Sequence, residues 1–278
     1  MDRIYMDNAA TTAVSPEVLQ TMLPYFSEIY GNPSSIHSTG RDARRAVDAA
    51  RKQVAQAIGA QPTEIYFTAG GSESDNWAIK GTAFAKRNKG NHIITTAIEH
   101  HAVLHTCQWL EKQGFQVTYL PVDEYGRVRV EDVEKAITDK TILISIMAAN
   151  NEIGTLEPIA EIGKLAHEKG ILFHTDAVQA FLKIPFRADM LGADLISVSA
   201  HKLGAPKGIG GLYLGERIRA PKPLIFGGGQ ESGLRSGTEA TAQIAGFARA
   251  VALRQENLAE KLRHMADIKA YCREKLLS

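Results

Sequence analysis

The sequence predicts a three-layer α/β/α fold built on a mostly parallel sheet. Short runs typical of β-strands alternate with helical patterns along most of the chain, which is the rhythm of repeated βαβ units. Several of these runs are continuously apolar, as expected for strands that helices cover on both faces. The 278 residues, of which 44% are hydrophobic and 23% charged, suffice for a large buried core.

Each predicted element follows from the local composition. The predicted strands are the β-rich runs 64–68, 92–98, 117–122, 141–147, 171–174, 194–199 and 211–214. Helical periodicity lies between them, in residues 16–29, 40–58, 72–86, 102–113, 131–137 and 158–169. Residues 239–277 contain no proline and a single glycine, and they are rich in Ala, Glu, Lys, Leu and Arg. This last stretch predicts one long helix or two joined helices.

The charge balance and the N-terminal composition argue against several classes of protein. The chain has 32 Lys and Arg against 31 Asp and Glu, and a net charge of +1 provides no long-range field for nucleic acid or a membrane surface. No apolar run approaches the ~20 residues of a membrane span, and residues 1–12 lack the apolar centre of a signal peptide. Cys107 and Cys272 form no disulfide framework, so we expect a cytoplasmic protein.

The segment 68–75 combines a strand end, two glycines and the start of a helix. Gly70 and Gly71 allow close backbone approach, and the N–H groups at the helix start form a cradle for an anion. Ser72 and Asp75 have the spacing of a capping box. The segment predicts a phosphate site, with an ordinary strand-to-helix turn as the alternative. It matches neither of the common nucleotide-binding glycine patterns.

Two further segments place ionisable side chains at strand ends. Asp176 follows the apolar run 171–174, where open α/β sheets bind their ligands, and its carboxylate can pair with a ring cation or a metal. Lys202 lies beside His201 and before a glycine-rich loop, and a desolvated lysine near another cation can form a Schiff base. The alternatives are a helix cap or surface ion pair for Asp176 and a solvated loop lysine for Lys202.

The histidines at the start of the helix 102–113 do not predict a metal site. His101 and His105 share a helix face, but no carboxylate or cysteine cluster completes a ligand set. His100, at the end of the preceding strand, is better placed to stack on a planar ligand.

The order of these motifs along the chain matches that of a known family. The matching stretches are Tyr5–Thr12, Gly31–His37, Phe67–Asn76, Glu99-His100, Asn150–Gly154, His174–Gln179, Ser199–Gly210 and Arg235–Thr238. In these stretches the chain resembles the cysteine desulfurases, which are fold-type I pyridoxal-phosphate (PLP) enzymes of the class V aminotransferase group. The forms HTDAVQ and RSGT resemble the iron–sulfur-assembly and nitrogen-fixation branch.

The resemblance implies PLP as the cofactor and a role for each matching residue. Lys202 would carry the cofactor as a Schiff base and move protons at the substrate α-carbon, with His100 stacked on the ring as the second catalytic residue. Asp176 would pair with the pyridinium nitrogen. Gln179 would donate to the ring oxygen, near Asn151. The implied phosphate ligands are Gly71, Ser72, Ser199, His201 and, from the neighbouring subunit of a homodimer, Thr238.

The resemblance also implies a reaction. It is the conversion of L-cysteine to L-alanine, with sulfur passed as a persulfide to an acceptor or scaffold protein for iron–sulfur cluster or thio-cofactor synthesis. The reactive cysteine and the carboxylate-binding arginine of the family are expected C-terminal to Ser278, since neither Cys107 nor Cys272 fits that role. We therefore expect a C-terminally truncated chain that binds PLP but is inactive alone in sulfur transfer.

The expected domains are a large PLP-binding domain over 12–259 and a partial small domain formed by 1–11 and 260–278. Two alternatives remain. One is a PLP-dependent lyase or aminotransferase of the same fold, with Arg235 as the nearest candidate for a carboxylate ligand. The other is a non-catalytic scaffold derived from the fold.

Overall fold

The computed structural model describes residues 4–218 and 221–278, and these form a seven-stranded sheet with helices on both faces. The strands are β1 (Ile65–Thr68), β2 (His92–Thr96), β3 (Gln116–Leu120), β4 (Thr141–Ser145), β5 (Leu172–Asp176), β6 (Leu195–Ser199) and β7 (Gly210–Leu214). Their order across the sheet is β1-β7-β6-β5-β4-β2-β3. Strand β7 is antiparallel to both of its neighbours, and the remaining pairs are parallel.

Most of the helices bury apolar residues against the sheet or against one another. They are α1 (Pro16–Met22), α2 (Pro24–Ser27), α3 (Ser38–Ile58), α4 (Gly71–Asn76), α5 (Thr82–Lys86), α6 (His101–Glu111), α7 (Val130–Ala136), α8 (Ile159–Glu168), α9 (Ala188–Leu191), α10 (Thr241–Glu256) and α11 (Leu258–Leu277). Two apolar clusters fill the interior, one including Val47 of α3 and Phe173, the other including Trp77 and Leu110 of α6. Burial on both faces explains the continuously apolar strands, since a parallel strand inside such a sheet has no solvent face.

The seven predicted strands and the predicted fold class are confirmed, and the helices differ in detail. The predicted helix 16–29 is two helices, because Pro24 has no backbone N–H for a continuous ladder and instead begins α2. The predicted helix 72–86 passes through a π-helical stretch, Trp77–Gly81, between α4 and α5. The C-terminal pattern is two joined helices, α10 and α11, separated at Asn257. The short helix α9 has no counterpart in the sequence prediction.

The sheet topology determines where a site can form. Strands β1, β5 and β6 run in the same direction, so the turns that follow Thr68, Asp176 and Ser199 meet at one edge of the sheet. Helix α10 packs against α3 and α1 and buries much of its length, whereas α11 has no buried residue. The division into domains over 12–259 and the two flanking segments remains a prediction. Among the helices of residues 4–218 and 221–278, none is long and apolar enough to cross a membrane.

Candidate active site

A cavity of about 470 Å³ opens at the carboxyl edge of the sheet. It gathers nine of the ten predicted site residues, namely Gly71, Ser72, His100, Asn151, Asp176, Gln179, Ser199, His201 and Lys202. The N-terminal segment contributes Asp7, Ala9 and Ala10 to the opposite wall. A cavity of this size suits a small organic ligand, and its polar groups converge from several strand ends.

Lys202 ends a single 3₁₀ turn, Ala200–Lys202, that follows β6. Its ammonium donates to the Ala9 carbonyl and, at 2.8 Å, to the Ala10 carbonyl. Burial lowers the pKa of Lys202, and the carboxylate of Asp176 opposes this shift. The amine is therefore easier to deprotonate than a solvated lysine, as a nucleophilic lysine must be.

Asp176 is the last residue of β5, and its side chain is buried at the floor of the cavity. Its Oδ1 accepts the Val178 N–H at 2.9 Å. Burial raises the pKa of Asp176, while the Val178 N–H, His100 and Lys202 act in the opposite direction. This carboxylate is thus placed to receive a cationic group of a ligand.

Asp75 is not part of a capping box, and that prediction is wrong. Helix α4 begins after Gly70, which makes no side-chain cap, and the Asp75 carboxyl points inward to line the same cavity as Asp176. Its Oδ1 has no hydrogen-bond partner within the described part of the chain. Burial raises the pKa of Asp75 well above its ordinary value, and the nearby Asp176 adds to that rise. We therefore expect Asp75 to be protonated while Asp176 carries the charge.

A buried histidine lies behind these two acids. His174 is fully buried, and its two ring nitrogens are 2.8 Å from the Ser145 hydroxyl and 3.0 Å from the Ser197 hydroxyl. Burial lowers the pKa of His174 to about 3, so the ring is neutral. Its Nε2 lies 3.7 Å from Asp75 Oδ1, which is therefore a contact with a neutral ring rather than an ion pair.

The predicted phosphate turn has the geometry of a cradle. Gly70 has a φ of +143°, and a Cβ at Gly71 would lie 2.7 Å from Val178 Cγ2, so both positions require glycine. The N–H groups that begin α4 have no partner within the helix. Glu73 holds the turn in place: it accepts the Ala69 N–H at 2.7 Å, and it accepts from Nε and Nη2 of Arg235 at 2.8 and 3.1 Å.

The N-terminal segment is fastened to the loop that carries Lys202. Thr12 donates through its N–H and its hydroxyl to the His201 carbonyl, at 3.0 and 2.8 Å. The Thr11 hydroxyl lies 3.1 Å from His201 Nδ1, and Gly204 N–H donates to Thr12 Oγ1 at 2.8 Å. These contacts hold the Ala9 and Ala10 carbonyls over the cavity.

His100 and Asn151 lie at the rim of the cavity. His100 caps α6, since its Nδ1 accepts the Ala102 N–H at 3.1 Å, and its ring remains exposed toward the cavity. The carboxamide of Asn151 donates to Glu152 Oε1 at 2.8 Å. A ring held by its cap contact in this way can stack on a planar ligand.

The cavity does not include Thr238. That residue is exposed and lines a separate groove beside Tyr25 and Tyr30. Neither Cys107 nor Cys272 lines the cavity, and burial raises the pKa of Cys107 to about 12. Across residues 4–218 and 221–278 no three His, Cys, Asp or Glu side chains are grouped as metal ligands.

Comparison with known proteins identifies the family. The class-V aminotransferase family profile matches residues 4–278, which is nearly the whole chain. The chain belongs to the class-V aminotransferase family. Members of this family use pyridoxal phosphate as their cofactor.

The class-V relatives with high identity are cysteine desulfurases. "Cysteine desulfurase IscS" of Clostridium botulinum (strain Hall) is 55% identical over 267 residues, which cover 96% of this chain and 67% of the relative. The protein of the same name from Methanosarcina thermophila is 54% identical over 274 residues, covering 99% of this chain and 68% of the relative. The chain thus spans about two thirds of the length of these curated relatives.

Solved structures of the family have the same fold. A "NifS-like protein" superposes with a TM-score of 0.97 at 44% identity, covering 99% of this chain and 76% of that one. "SspA in complex with cysteine" superposes with a TM-score of 0.88 at 47% identity, covering 90% of this chain and 72% of that one. The predicted family, fold and cofactor are therefore confirmed.

Three ionisable residues at or near this class-V site were not predicted from the sequence as site residues. Asp75 lines the cavity, Glu99 is buried behind it, and Lys183 contacts Gln179. A partial signal existed for Asp75, because it lies four residues after Gly71 and hence on the same helix face. The Glu99 contact with Met147 joins distant segments, which the local pattern does not contain. The Lys183 contact with Gln179 is local, but it depends on the left-handed turn at Leu182, which the sequence does not indicate.

Glu99 predicts a pH-dependent stability. Its Oε1 accepts the Thr96 hydroxyl and the Met147 N–H, both at 2.9 Å, and burial raises its pKa from 4.5 to about 8. Between these two values the folded protein keeps a proton that the unfolded chain has lost, so stability falls as the pH rises through this window, by on the order of a few kcal/mol.

Glu99→Gln keeps the acceptor oxygen and removes the ionisation. We expect the melting temperature of the wild type, measured by thermal unfolding without cofactor, to fall between about pH 6 and about pH 8.5. The melting temperature of Glu99→Gln is expected to fall less steeply over the same range. The exposed Glu124→Gln serves as the control. Parallel curves for Glu99→Gln and the wild type would show that Glu99 is already ionised at pH 6.

Proposed function

We propose that this chain holds PLP in the cavity beside Lys202 and acts on L-cysteine as a cysteine desulfurase. The observation that carries the proposal is the convergence of Lys202, Asp176 and the Gly70–Gly71 turn on one cavity. The relatives named cysteine desulfurases, at 55% and 54% identity, supply the substrate class. Transfer of the cysteine sulfur to an acceptor protein for iron–sulfur or thio-cofactor synthesis is part of the proposal.

The residues fit the cofactor at each of its polar groups. Lys202 offers an amine for the aldehyde, and Asp176 offers a buried carboxylate for the ring nitrogen. Ser72 and Ser199 lie in the cavity on either side of the glycine turn, where a Cβ at Gly71 would clash. His201 has a pKa that is lowered by burial and by Lys202, so its ring is a neutral neighbour for a phosphate. We assign the phosphate to this end of the cavity.

PLP, when bound, supplies an electron sink for the substrate α-carbon. Separate residues of the chain then transfer the proton, hold the ring nitrogen and limit access of water. Lys202 Nζ removes and returns the α-proton, because its depressed pKa lets it act as a base. Asp176 would hold the ring nitrogen in its protonated form, because burial and the neighbouring Asp176 raise the pKa of Asp75 well above its ordinary value and so favour the negative charge on Asp176. His100 lines the cavity and would lie against the ring, where it would limit the exposure of the ring to water.

Arg235 is not available as a substrate clamp. Its guanidinium is committed to both carboxylate oxygens of Glu73. This arrangement disfavours the alternative in which Arg235 binds the carboxylate in a lyase or aminotransferase reaction. Neither Cys107 nor Cys272 faces the cavity, so we propose that neither of them is the thiol which accepts sulfur.

The proposal extends to assembly and location. Thr238 lies outside the cavity, on an exposed loop, and we propose that it serves the phosphate site of a second subunit in a homodimer. A sulfur-acceptor protein is the proposed macromolecular partner. We propose a cytoplasmic location, which the two free cysteines support.

The first test is reconstitution with PLP. We expect a visible absorbance band that borohydride bleaches, with the reduced label recovered on the peptide that contains Lys202. In deuterated water, L-cysteine and L-alanine are expected to exchange their α-proton, as followed by NMR. These readouts need Lys202 and the cofactor but no cysteine thiolate. A folded protein that shows neither the band nor the exchange would refute the cofactor proposal.

A further inference from the structure

Lys183 is a half-buried cation that has no role in the proposed chemistry. Its ammonium donates to Gln179 Oε1 at 2.7 Å, one turn back along the chain. Burial, together with the charges of Lys202 and Arg254, lowers its pKa to about 8. A charged group kept in such surroundings is costly, so its placement calls for a functional reason.

The strained backbone before Lys183 directs its side chain toward Gln179. Leu182 is buried and has a φ of +54°, a left-handed conformation that costs a residue other than glycine ~1–2 kcal/mol. The turn closes through the Lys183 N–H, which donates to the Ala180 carbonyl at 2.9 Å. This reversal of the chain brings residue 183 back over residue 179.

The chemistry of the contact fixes the Gln179 carboxamide. An ammonium group has donors and no acceptor, so only the oxygen of Gln179 can face Lys183. The amide nitrogen must then point the other way, and its Nε2 donates to the Ala9 carbonyl at 2.9 Å. The same carbonyl accepts the Lys202 ammonium, so the N–H of Gln179 is presented to the part of the cavity where Lys202 ends.

We propose that Lys183 is a positioning residue that holds Gln179 with its N–H toward the ligand, so that the site selects a hydrogen-bond acceptor there. The inference rests on the proposed function, in which that acceptor is the anionic ring oxygen of PLP. Without Lys183, the Ala9 carbonyl still accepts the Gln179 N–H, but the carboxamide oxygen loses its donor and the turned-over orientation becomes easier to reach. In that orientation the carboxamide would present a lone pair to an anionic oxygen, which is repulsive.

The test compares variants of the PLP-reconstituted protein by the pH midpoint of the change in visible absorbance. A donor that faces the anionic ring oxygen favours its ionised form, so Lys183→Met is expected to raise the midpoint by about one pH unit. Lys183→Arg, which also has only donors, is expected to stay near the wild type. Lys164→Met, at an exposed lysine on α8 that pairs with Glu168, is the matched control and is expected to have no effect.

A double variant separates positioning from a general effect of charge. If Lys183 acts through Gln179, Lys183→Met adds no further shift in a Gln179→Leu background. Equal shifts in both backgrounds would overturn the proposal, as would a Lys183→Met midpoint equal to that of the wild type. Should Lys183→Met fail to fold, Lys183→Gln takes its place with the same expected result, because glutamine can accept as well as donate. Loss of the band from the wild type itself would instead refute the cofactor proposal.

Discussion

Lys202→Ala is expected to abolish the visible absorbance band of the PLP-reconstituted protein and to slow α-proton exchange by about two to four orders of magnitude. The variant removes both the amine that binds the cofactor covalently and the base that moves the α-proton. PLP is expected to remain bound without a covalent link, because Asp176 and the glycine turn are unaffected. The measurements are absorbance, borohydride labelling followed by peptide mass, and NMR exchange in deuterated water.

The control for this variant is Lys207→Ala. Lys207 is an exposed lysine in the glycine-rich loop that follows Lys202, and it lies outside the cavity. It is expected to keep the band and the exchange rate of the wild type. Addition of methylamine to Lys202→Ala is expected to recover part of the exchange, since it restores a base of similar size. Borohydride labelling of another lysine at wild-type yield in Lys202→Ala would contradict the assignment.

Much of this site could be predicted from the sequence because its residues lie at strand ends. Buried parallel strands are continuous apolar runs, and the first polar residues after each run meet at one edge of the sheet. Gly71, Asp176 and Lys202 were found in this way. Each of these segments alone also has an ordinary structural explanation, and it is their order along the chain that matches the family pattern.

The remaining features depend on tertiary contacts. Asp75 has the spacing of a helix cap, and only the fold shows that its carboxyl points inward beside Asp176. Leu182 gives no local sign of a left-handed conformation, since glycine is the usual residue at such a position. The role of Lys183 becomes visible only when that turn places its ammonium on Gln179.

Arg51→Met is expected to lower the free energy of unfolding by ~3–5 kcal/mol, the range measured when one partner of a buried ion pair is removed. Arg51 lies on α3, and its two terminal nitrogens donate to the Glu231 carboxylate at 2.7 and 2.6 Å. The side chains of this pair are 15% and 2% exposed. The same guanidinium donates to the Ile65 carbonyl at 2.5 Å and lies 4.8 Å from the centre of the Phe67 ring.

Methionine retains most of the apolar stem of Arg51 but leaves the Glu231 carboxylate buried, with the Phe67 N–H at 2.9 Å as its one remaining donor among the described residues. The loop that carries Glu231 would lose its charge partner at a point where the backbone is already strained, with a φ of +46°. We therefore expect this loop to loosen before the sheet unfolds. Urea unfolding of the protein without cofactor measures the total loss of stability, and hydrogen exchange near Glu231 measures the local opening.

Arg45→Met, on the same helix, is the matched control. Arg45 is paired with Asp42 at 3.3 Å, but its side chain is 77% exposed, so the loss is expected to be below ~1 kcal/mol. Arg51→Met combined with Glu231→Leu is expected to be more stable than Arg51→Met alone, because the second change removes the charge that the first leaves buried. Equal losses for Arg51→Met and Arg45→Met would mean that burial adds nothing to the Arg51–Glu231 pair, and the loop would then be held by its backbone contacts alone.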